Sequence, residues 1–388
     1  DRVRAALGTP ERRTAARHPP ALPPLDAILG ASWVDTADGP ALVRDEWYPA
    51  DHTHGRFPIS GALERPGALA ELAGGPAPRR PAFLDIETTG LAGGSGTYAF
   101  LIGVGAWREE GFRVRQYLLP GPGLERPMLR LLAEDLAGCD ALVTYNGRAF
   151  DAPLLESRFA LNRLVSPLDG LRHLDLLYPV RRLYRFRCES RRLIEVEARL
   201  LDFSREDDVP GWLMPQLYFD YLRAGRVGPL RFAFRHNRWD VLAMGSLLTR
   251  LALAISGETD DARERLGVAG WRERRGEPER AVREYAAAIP DLRGPERTHA
   301  LWRLSLLYRR QRRWQDAVAL WRELVEEGDV RALVELAKHF EHRERDLERA
   351  LAACERAARL GHSPELLHRI SRLQRKLGRE TAPERREA

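Results

Sequence analysis

Eight residues constrain this chain more than any others: Phe83-Leu84-Asp85-Ile86-Glu87-Thr88-Thr89-Gly90. Their alternation predicts a strand with Leu84 and Ile86 turned into a core. Asp85 and Glu87, two residues apart, then project together from the opposite face. Two crowded carboxylates are costly unless cations neutralise them. The stretch therefore reads as half of a divalent-metal site, with Thr88-Thr89-Gly90 turning the chain away to leave room for a substrate. The competing reading is a strand whose solvated face is acidic.

The flanking segments predict an α/β domain over residues 80–257. Residues 98–107 form an apolar run suited to a central strand, and residues 112–119 alternate as a strand should. Gly111 separates the two, and Pro120-Gly121-Pro122-Gly123 ends the second. Residues 124–136 have helical spacing. Ala141-Leu142-Val143-Thr144-Tyr145 reads as a short buried strand, ended by Asn146-Gly147. Residues 153–164 read as a helix, with Asp151 at its N-cap and Pro153 in its first turn. A short apolar segment at 173–178 contains Asp175, and helices are expected over 190–201, 214–222 and 230–253.

Residues 1–79 read as an N-terminal extension. Its start, rich in Arg, Ala and Pro, is expected to be disordered. Short strands are expected at Trp33-Val34, Ala41-Leu42-Val43 and Phe57-Pro58-Ile59. His52-Thr53-His54-Gly55 reads as a polar loop in preference to a metal pair. The glycine-rich stretch after Gly90 lacks the Gly-Lys-Ser/Thr ending of a phosphate-binding loop.

Beyond Ser256-Gly257-Glu258-Thr259-Asp260-Asp261 the strand signal stops and a repeat begins. Pro278-Glu279-Arg280-Ala281-Val282, Trp314-Gln315-Asp316-Ala317-Val318 and Leu347-Glu348-Arg349-Ala350-Leu351 resemble one another. Their alanines stand 36 and 33 residues apart (317 − 281 and 350 − 317). Helix pairs near that period resemble tetratricopeptide-type repeats. Residues 262–388 are accordingly expected to form an all-α repeat domain that recruits a protein partner, the rival being a plain helical bundle.

Composition narrows the function classes. The net charge of +6 hints at a polyanionic partner. Of 62 basic residues only Lys338 and Lys376 are lysine, so 60 are arginine (62 − 2). Such a bias across the whole chain discounts any single arginine cluster, including the one at residues 181–192 that otherwise suits phosphate gripping and base stacking. Three scattered cysteines argue against a disulfide framework and a cysteine-rich zinc site. No signal peptide and no apolar run of about 18 residues is visible, so a cytoplasmic protein with no membrane role is expected. No Gly-x-Gly-x-x-Gly follows the first strand, which disfavours a dinucleotide enzyme.

Other acids are needed to complete the cage begun by Asp85 and Glu87. Asp151 follows a buried strand, where α/β folds collect ligands. Asp240 follows His236 by four residues, on one face of a helix. The ordered set, Asp85-Ile86-Glu87-Thr88-Thr89-Gly90, then Asn146-Gly147 through Phe150-Asp151, then His236 through Asp240, resembles the DnaQ-like (DEDD) 3′–5′ exonucleases of the ribonuclease H-like superfamily. Residues 96–105, Val196-Glu197-Ala198-Arg199-Leu200-Leu201, Arg205-Glu206-Asp207-Asp208-Val209-Pro210-Gly211 and His236-Asn237 resemble the bacterial YprB-type branch more narrowly.

The resemblance implies a mixed central sheet flanked by helices and two Mg2+ or Mn2+ ions held by Asp85, Glu87, Asp151 and Asp240. It implies hydrolysis of DNA or RNA by a two-metal mechanism. His236 would take a proton from the attacking water, and Thr88, Thr89, Gly90 and Asn146 would contact substrate. One departure stands out: histidine-type members usually carry the histidine five residues before the last Asp, whereas His236 sits at the tyrosine-type spacing of four. The rival from another class is a catalytically silent nucleic-acid-binding or repeat scaffold.

Overall fold

The computed structural model describes residues 25–90, 96–361 and 364–378. The arginine-rich start and most of the glycine-rich turn after Gly90 lie outside the described residues. The chain divides into two compact units between Glu258 and Thr259.

The first unit is built on a seven-stranded mixed sheet of order β1-β2-β7-β6-β5-β8-β9. Its strands are β1 Ser32–Thr36, β2 Gly39–Tyr48, β5 Pro81–Thr88, β6 Ala99–Arg108, β7 Gly111–Leu118, β8 Ala141–Thr144 and β9 Arg172–Asp175. A separate two-stranded ladder joins β3 Thr53–His54 to β4 Phe57–Pro58. The helices of this unit are α1 Leu25–Leu29, α2 Pro66–Ala73, α3 Glu125–Leu136, α4 Asp151–Leu161, α5 Leu177–Leu183, α6 Leu193–Val196, α7 Met214–Ala224 and α8 Leu230–Ser256. A π-helical turn, Glu197–Leu201, continues α6.

Position in the sheet accounts for the strand sequences. β6 is buried continuously from Ala99 to Ala106, so it reads as an unbroken apolar run. β7 alternates over its first half because one face is partly solvated. β8 runs parallel to both β5 and β9. Parallel neighbours need a long crossover, and α4 supplies it between β8 and β9.

Two expectations change. The extension expected ahead of the domain is, over its described part, a component of the sheet. β2 pairs with β7 along most of its length and with β1 over its first half, and its Ala41, Leu42 and Val43 are buried. Leaving β7 as an edge strand would expose that apolar row and its backbone groups. The polar loop expected at residues 52–55 is instead the start of a β-ladder, with His54 buried. Among the described residues, α8 alone is long and apolar enough to cross a membrane, yet 78% of that window is buried in the protein. It packs on β5 and β6 as the core helix.

The second unit is helical throughout its described residues: α9 Ala262–Arg274, α10 Pro278–Ala288, α11 Gly294–Arg310, α12 Trp314–Glu326, α13 Val330–His339, α14 Leu347–Leu360 and α15 Pro364–Lys376. Successive helices pack as neighbours. Ala281, Ala317 and Ala350, on α10, α12 and α14, are all fully buried. Asp261, Asp329 and Asp346 accept backbone N–H bonds at the starts of α9, α13 and α14. Such caps contribute about 1 kcal/mol each.

Candidate active site

Asp85 and Glu87 lie near the C-terminal end of β5, paired with Gly103 and Leu101 of β6. The ladder slips between Glu87 and Thr88. Bulges of this kind re-aim side chains beside functional sites. The turn beyond is closed locally: Thr88 Oγ1 donates to the Gly90 carbonyl at 3.0 Å, and Thr89 Oγ1 accepts from Tyr98 N–H at 2.9 Å.

Asp85 is fixed from α8. Asn237 Nδ2 donates to the Asp85 Oδ2 and carbonyl oxygens at 2.9 and 3.1 Å. Asn237 Oδ1 in turn accepts from Gln116 Nε2 at 2.8 Å. Both amides are buried, so each bond is costly to lose. Gly103 makes room for them: a Cβ there would come within 2.2 Å of Asn237 Oδ1.

Asp151 is the first residue of α4, not the expected N-cap; Phe150 takes that position and makes no side-chain cap bond. The Asp151 carboxylate is therefore free for another purpose. Gly147 lets it approach the end of β8, since a Cβ at 147 would lie 2.6 Å from Asp151 Oδ2. The loop is shaped by Asp175, which accepts from the N–H groups of Asn146, Arg148 and Leu177 at 2.8, 3.1 and 3.0 Å.

His236 and Asp240 lie one turn apart on α8, with His236 Nε2 3.5 Å from Asp240 Oδ2 and 4.0 Å from Glu87 Oε1. The other ring nitrogen, Nδ1, sits 2.9 Å from Asp208. Arg205, its side chain 1% exposed, bonds Asp240, Glu197 and Asp208. Behind it, His54 Nε2 meets Glu197 Oε1 at 2.8 Å. This network brings the N-terminal ladder to the back of the site.

Charge is the dominant property here. Burial pushes the Asp85 and Glu87 carboxyls well above their ordinary range, and the charges of Asp240 and Asp151 push them further. Asp151 rises to about 7, from burial and then Asp175 and Asp240. Burial works against a charged His236, but Asp240 and Asp208 outweigh it and raise that pKa. Burial holds His54 down to about 3 and lifts Glu197 to about 8.

Such a cluster is short of cations. Ligand atoms of Glu87, His236 and Asp240 all lie within 4.8 Å of one another, a spacing that one ion spans. The hard carboxylate oxygens fit a divalent cation, with the imidazole beside them.

A cavity of about 340 Å³ opens beside the acids, lined in part by Glu87, Thr88, Gly90, Thr97, Asp151 and Trp212. Trp212 and Phe150 are large exposed aromatics at this cavity. Of the expected substrate contacts, Thr88 and Gly90 line it. Thr89 does not, and its N–H is taken by the Tyr98 carbonyl. Asn146 does not line it either; it turns the chain with φ +67°.

Arg205, Asp208, Glu197, Asn237 and His54 had no assigned role from sequence. Arg205 and Asp208 stand in a stretch that marked the resemblance, but an arginine bias of this size hides one buried guanidinium among sixty.

With this geometry in view, comparison places residues 82–252 in the RNase_H superfamily. The uncharacterized protein YprB of Bacillus subtilis (strain 168) is 34% identical over 357 residues, covering 86% of each chain. The family B DNA polymerase of the hyperthermophilic archaeon Pyrobaculum calidifontis superposes on 59% of the chain at a TM-score of 0.36 and 17% identity. The chain spans 30% of that polymerase's length, and at this TM-score the likeness carries no weight. The identity across most of both chains settles the relationship: this chain belongs to the YprB family, with an RNase H-like domain at its centre.

Proposed function

We propose that this chain is a metal-dependent 3′–5′ exonuclease that hydrolyses phosphodiester bonds at single-stranded ends of DNA or RNA. The observation that carries the reading is that Glu87 and Asp240 lie with His236 within 4.8 Å of one another beside a cavity, with Asp85 and Asp151 near enough for the carboxylate charges to raise their pKa. A pair of Mg2+ or Mn2+ ions, when bound, supplies the positive charge that polarises a scissile phosphate and acidifies water. The four carboxylates hold that charge in place.

Asn237 keeps Asp85 from rotating away. Asp208 accepts the His236 Nδ1–H, which leaves the Nε2 lone pair facing Glu87 and Asp240, where a water proton is to be taken. Arg205 holds Asp208 and Asp240 in register. Thr88, Gly90 and the exposed Trp212 and Phe150 offer the terminal nucleotide a walled cavity. The helix pairs of the second unit are read as tetratricopeptide-like repeats that recruit a protein partner. The support is the recurrence of Ala281, Ala317 and Ala350 at buried positions.

The test is incubation of purified protein with 5′-labelled single-stranded DNA and RNA, with manganese or with chelator. A metal-dependent ladder receding from the 3′ end is expected, and it should vanish in folded Asp85→Asn and Asp151→Asn proteins. Internal cuts would point to an endonuclease on the same fold. No cleavage and no manganese-induced thermal shift would favour the silent scaffold.

A further inference from the structure

A second cavity, of about 390 Å³, lies away from the acids and is lined by Arg44, Arg231, Phe232, Arg235 and Arg238. Arg44 comes from β2 and the others from α8. The four guanidiniums have one carboxylate between them. Arg44 and Arg238 both reach Glu46 at 2.8 Å. Arg231 donates to the Gly228 carbonyl at 3.1 Å, and Arg235 to the Asp207 carbonyl. The Nε atoms of Arg235 and Arg238 are buried without a hydrogen-bond partner.

The guanidiniums are also held in place. Arg235 lies 5.4 Å from the Phe232 ring and 5.0 Å from the Trp239 ring, and Arg44 lies 6.0 Å from Phe234. A concave site with surplus positive charge and braced side chains suits a phosphate group.

Its place on α8 matters. At 100° per residue, Arg231, Arg235 and Arg238 fall on one flank of the buried stripe and His236 and Asp240 on the other. The two flanks are about one helix diameter apart, roughly 10–12 Å. Phosphates rise ~3.4 Å each along a duplex axis and lie further apart in an extended single strand, so that is a span of at most about three phosphates.

We propose that the arginine cavity is a second phosphate-binding site, which grips the backbone of a single strand a few nucleotides away from the end held at the acid cluster. This rests on the nuclease reading above. It assigns the arginines an affinity role separate from catalysis and makes substrate binding depend on salt on the opposite flank of α8 from His236 and Asp240.

The test uses full-length protein without metal, so that nothing is cleaved, and a fluorescein-labelled oligo(dT) read by anisotropy across a salt series. Arg231→Gln with Arg235→Gln removes the two cations that have no carboxylate partner. Losing two phosphate contacts lowers the slope of log affinity against log salt by about 1.4, and affinity at 0.15 M salt by about tenfold. If the double variant does not fold, Arg231→Gln alone reads half the effect, a slope lower by about 0.7. Its side chain is exposed and holds only a carbonyl. The manganese-induced thermal shift should be the same in parent and variants.

Equal affinity and slope in parent and folded variants would overturn the proposal while leaving the nuclease reading intact. Failure of the parent to bind any oligonucleotide would sink both. Inorganic phosphate is the remaining probe. If it stabilises the parent but not the variants, with oligonucleotide affinity unchanged, the cavity holds a free anion and the strand proposal fails.

Discussion

Two buried carboxylate sites in this molecule have opposite electrostatics. In the second unit, Glu341, its side chain 1% exposed, meets Arg369, Arg372 and Lys376 at 2.7, 2.6 and 3.0 Å. Burial works to raise its pKa, yet Lys376 and Arg372 outweigh burial and hold it below the ordinary range. In the first unit, Asp85 and Glu87 are pushed far above that range because their neighbours are mostly other carboxylates. Arg205 answers Asp240, Asp208 and Glu197, so it cannot neutralise Asp85, Glu87 and Asp151 as well. A buried acid surrounded by cations holds a fold together. A buried acid surrounded by acids costs stability and persists where something else is to bind.

The contrast is broken most directly by activity. Asp85→Asn should lower oligonucleotide hydrolysis by about 10³-fold or more, near 4 kcal/mol of transition-state stabilisation. Glu341→Gln should leave the rate within about twofold, since it touches no part of the acid cluster. If both variants hydrolyse at the parent rate, the acid cluster is not the site.

A smaller effect sharpens the picture inside the cluster. Asp208→Asn keeps the shape beside His236 but removes the charge that fixes its tautomer. A fall in kcat of about 10–100-fold is expected, with KM little changed. Steady-state kinetics decide it, and an unchanged kcat would remove Asp208 from the mechanism.

The opposite face of the comparison is stability. Glu341→Ala strands three cations that are partly solvated. A loss of about 2 kcal/mol is expected, between the values for surface and buried pairs. Urea unfolding checks it. A loss below about 0.5 kcal/mol would mean that solvent already screens the cluster.

The gentlest probe is pH. Asp151 has a folded pKa of about 7 against an ordinary 3.8. Between these values the folded chain holds a proton that the unfolded chain releases. Metal-free stability from this group is thus full below about 3.8 and is lost as pH rises through about 7. A bound cation removes that penalty, so manganese should raise Tm more at pH 8 than at pH 5. A manganese effect independent of pH, or identical in Asp151→Asn, would contradict the account.

Much of the second unit was legible because its signal is local. The alanine recurrence appears as three buried contacts on α10, α12 and α14. The strands of the first unit were legible wherever burial imposed a two-residue or continuous apolar pattern, as at β5, β6 and β7. Short strands were expected in the N-terminal segment, but not its place in the sheet, because a strand's place is set by its partners. The apolar patch Ala41-Leu42-Val43 is short, and its pairing with β1 on one side and with β7, from Leu42 on, on the other gives it a place. His52-Thr53-His54-Gly55 looked polar for the same reason: the hydrogen-bond partner of buried His54 is Glu197, 143 residues away.

By itself the sequence determined the two halves of the acid cluster. The two-residue period of a strand sets Asp85 beside Glu87, and the turn of a helix sets His236 beside Asp240. Tertiary structure alone decided how those halves meet. Asn237 reaches Asp85 across 152 residues, and Arg205 reaches Asp240 across 35. Contacts made where chain segments cross have no periodic signature in a sequence. They arise because a buried amide or guanidinium must find a partner in the space the packed sheet and helix leave it.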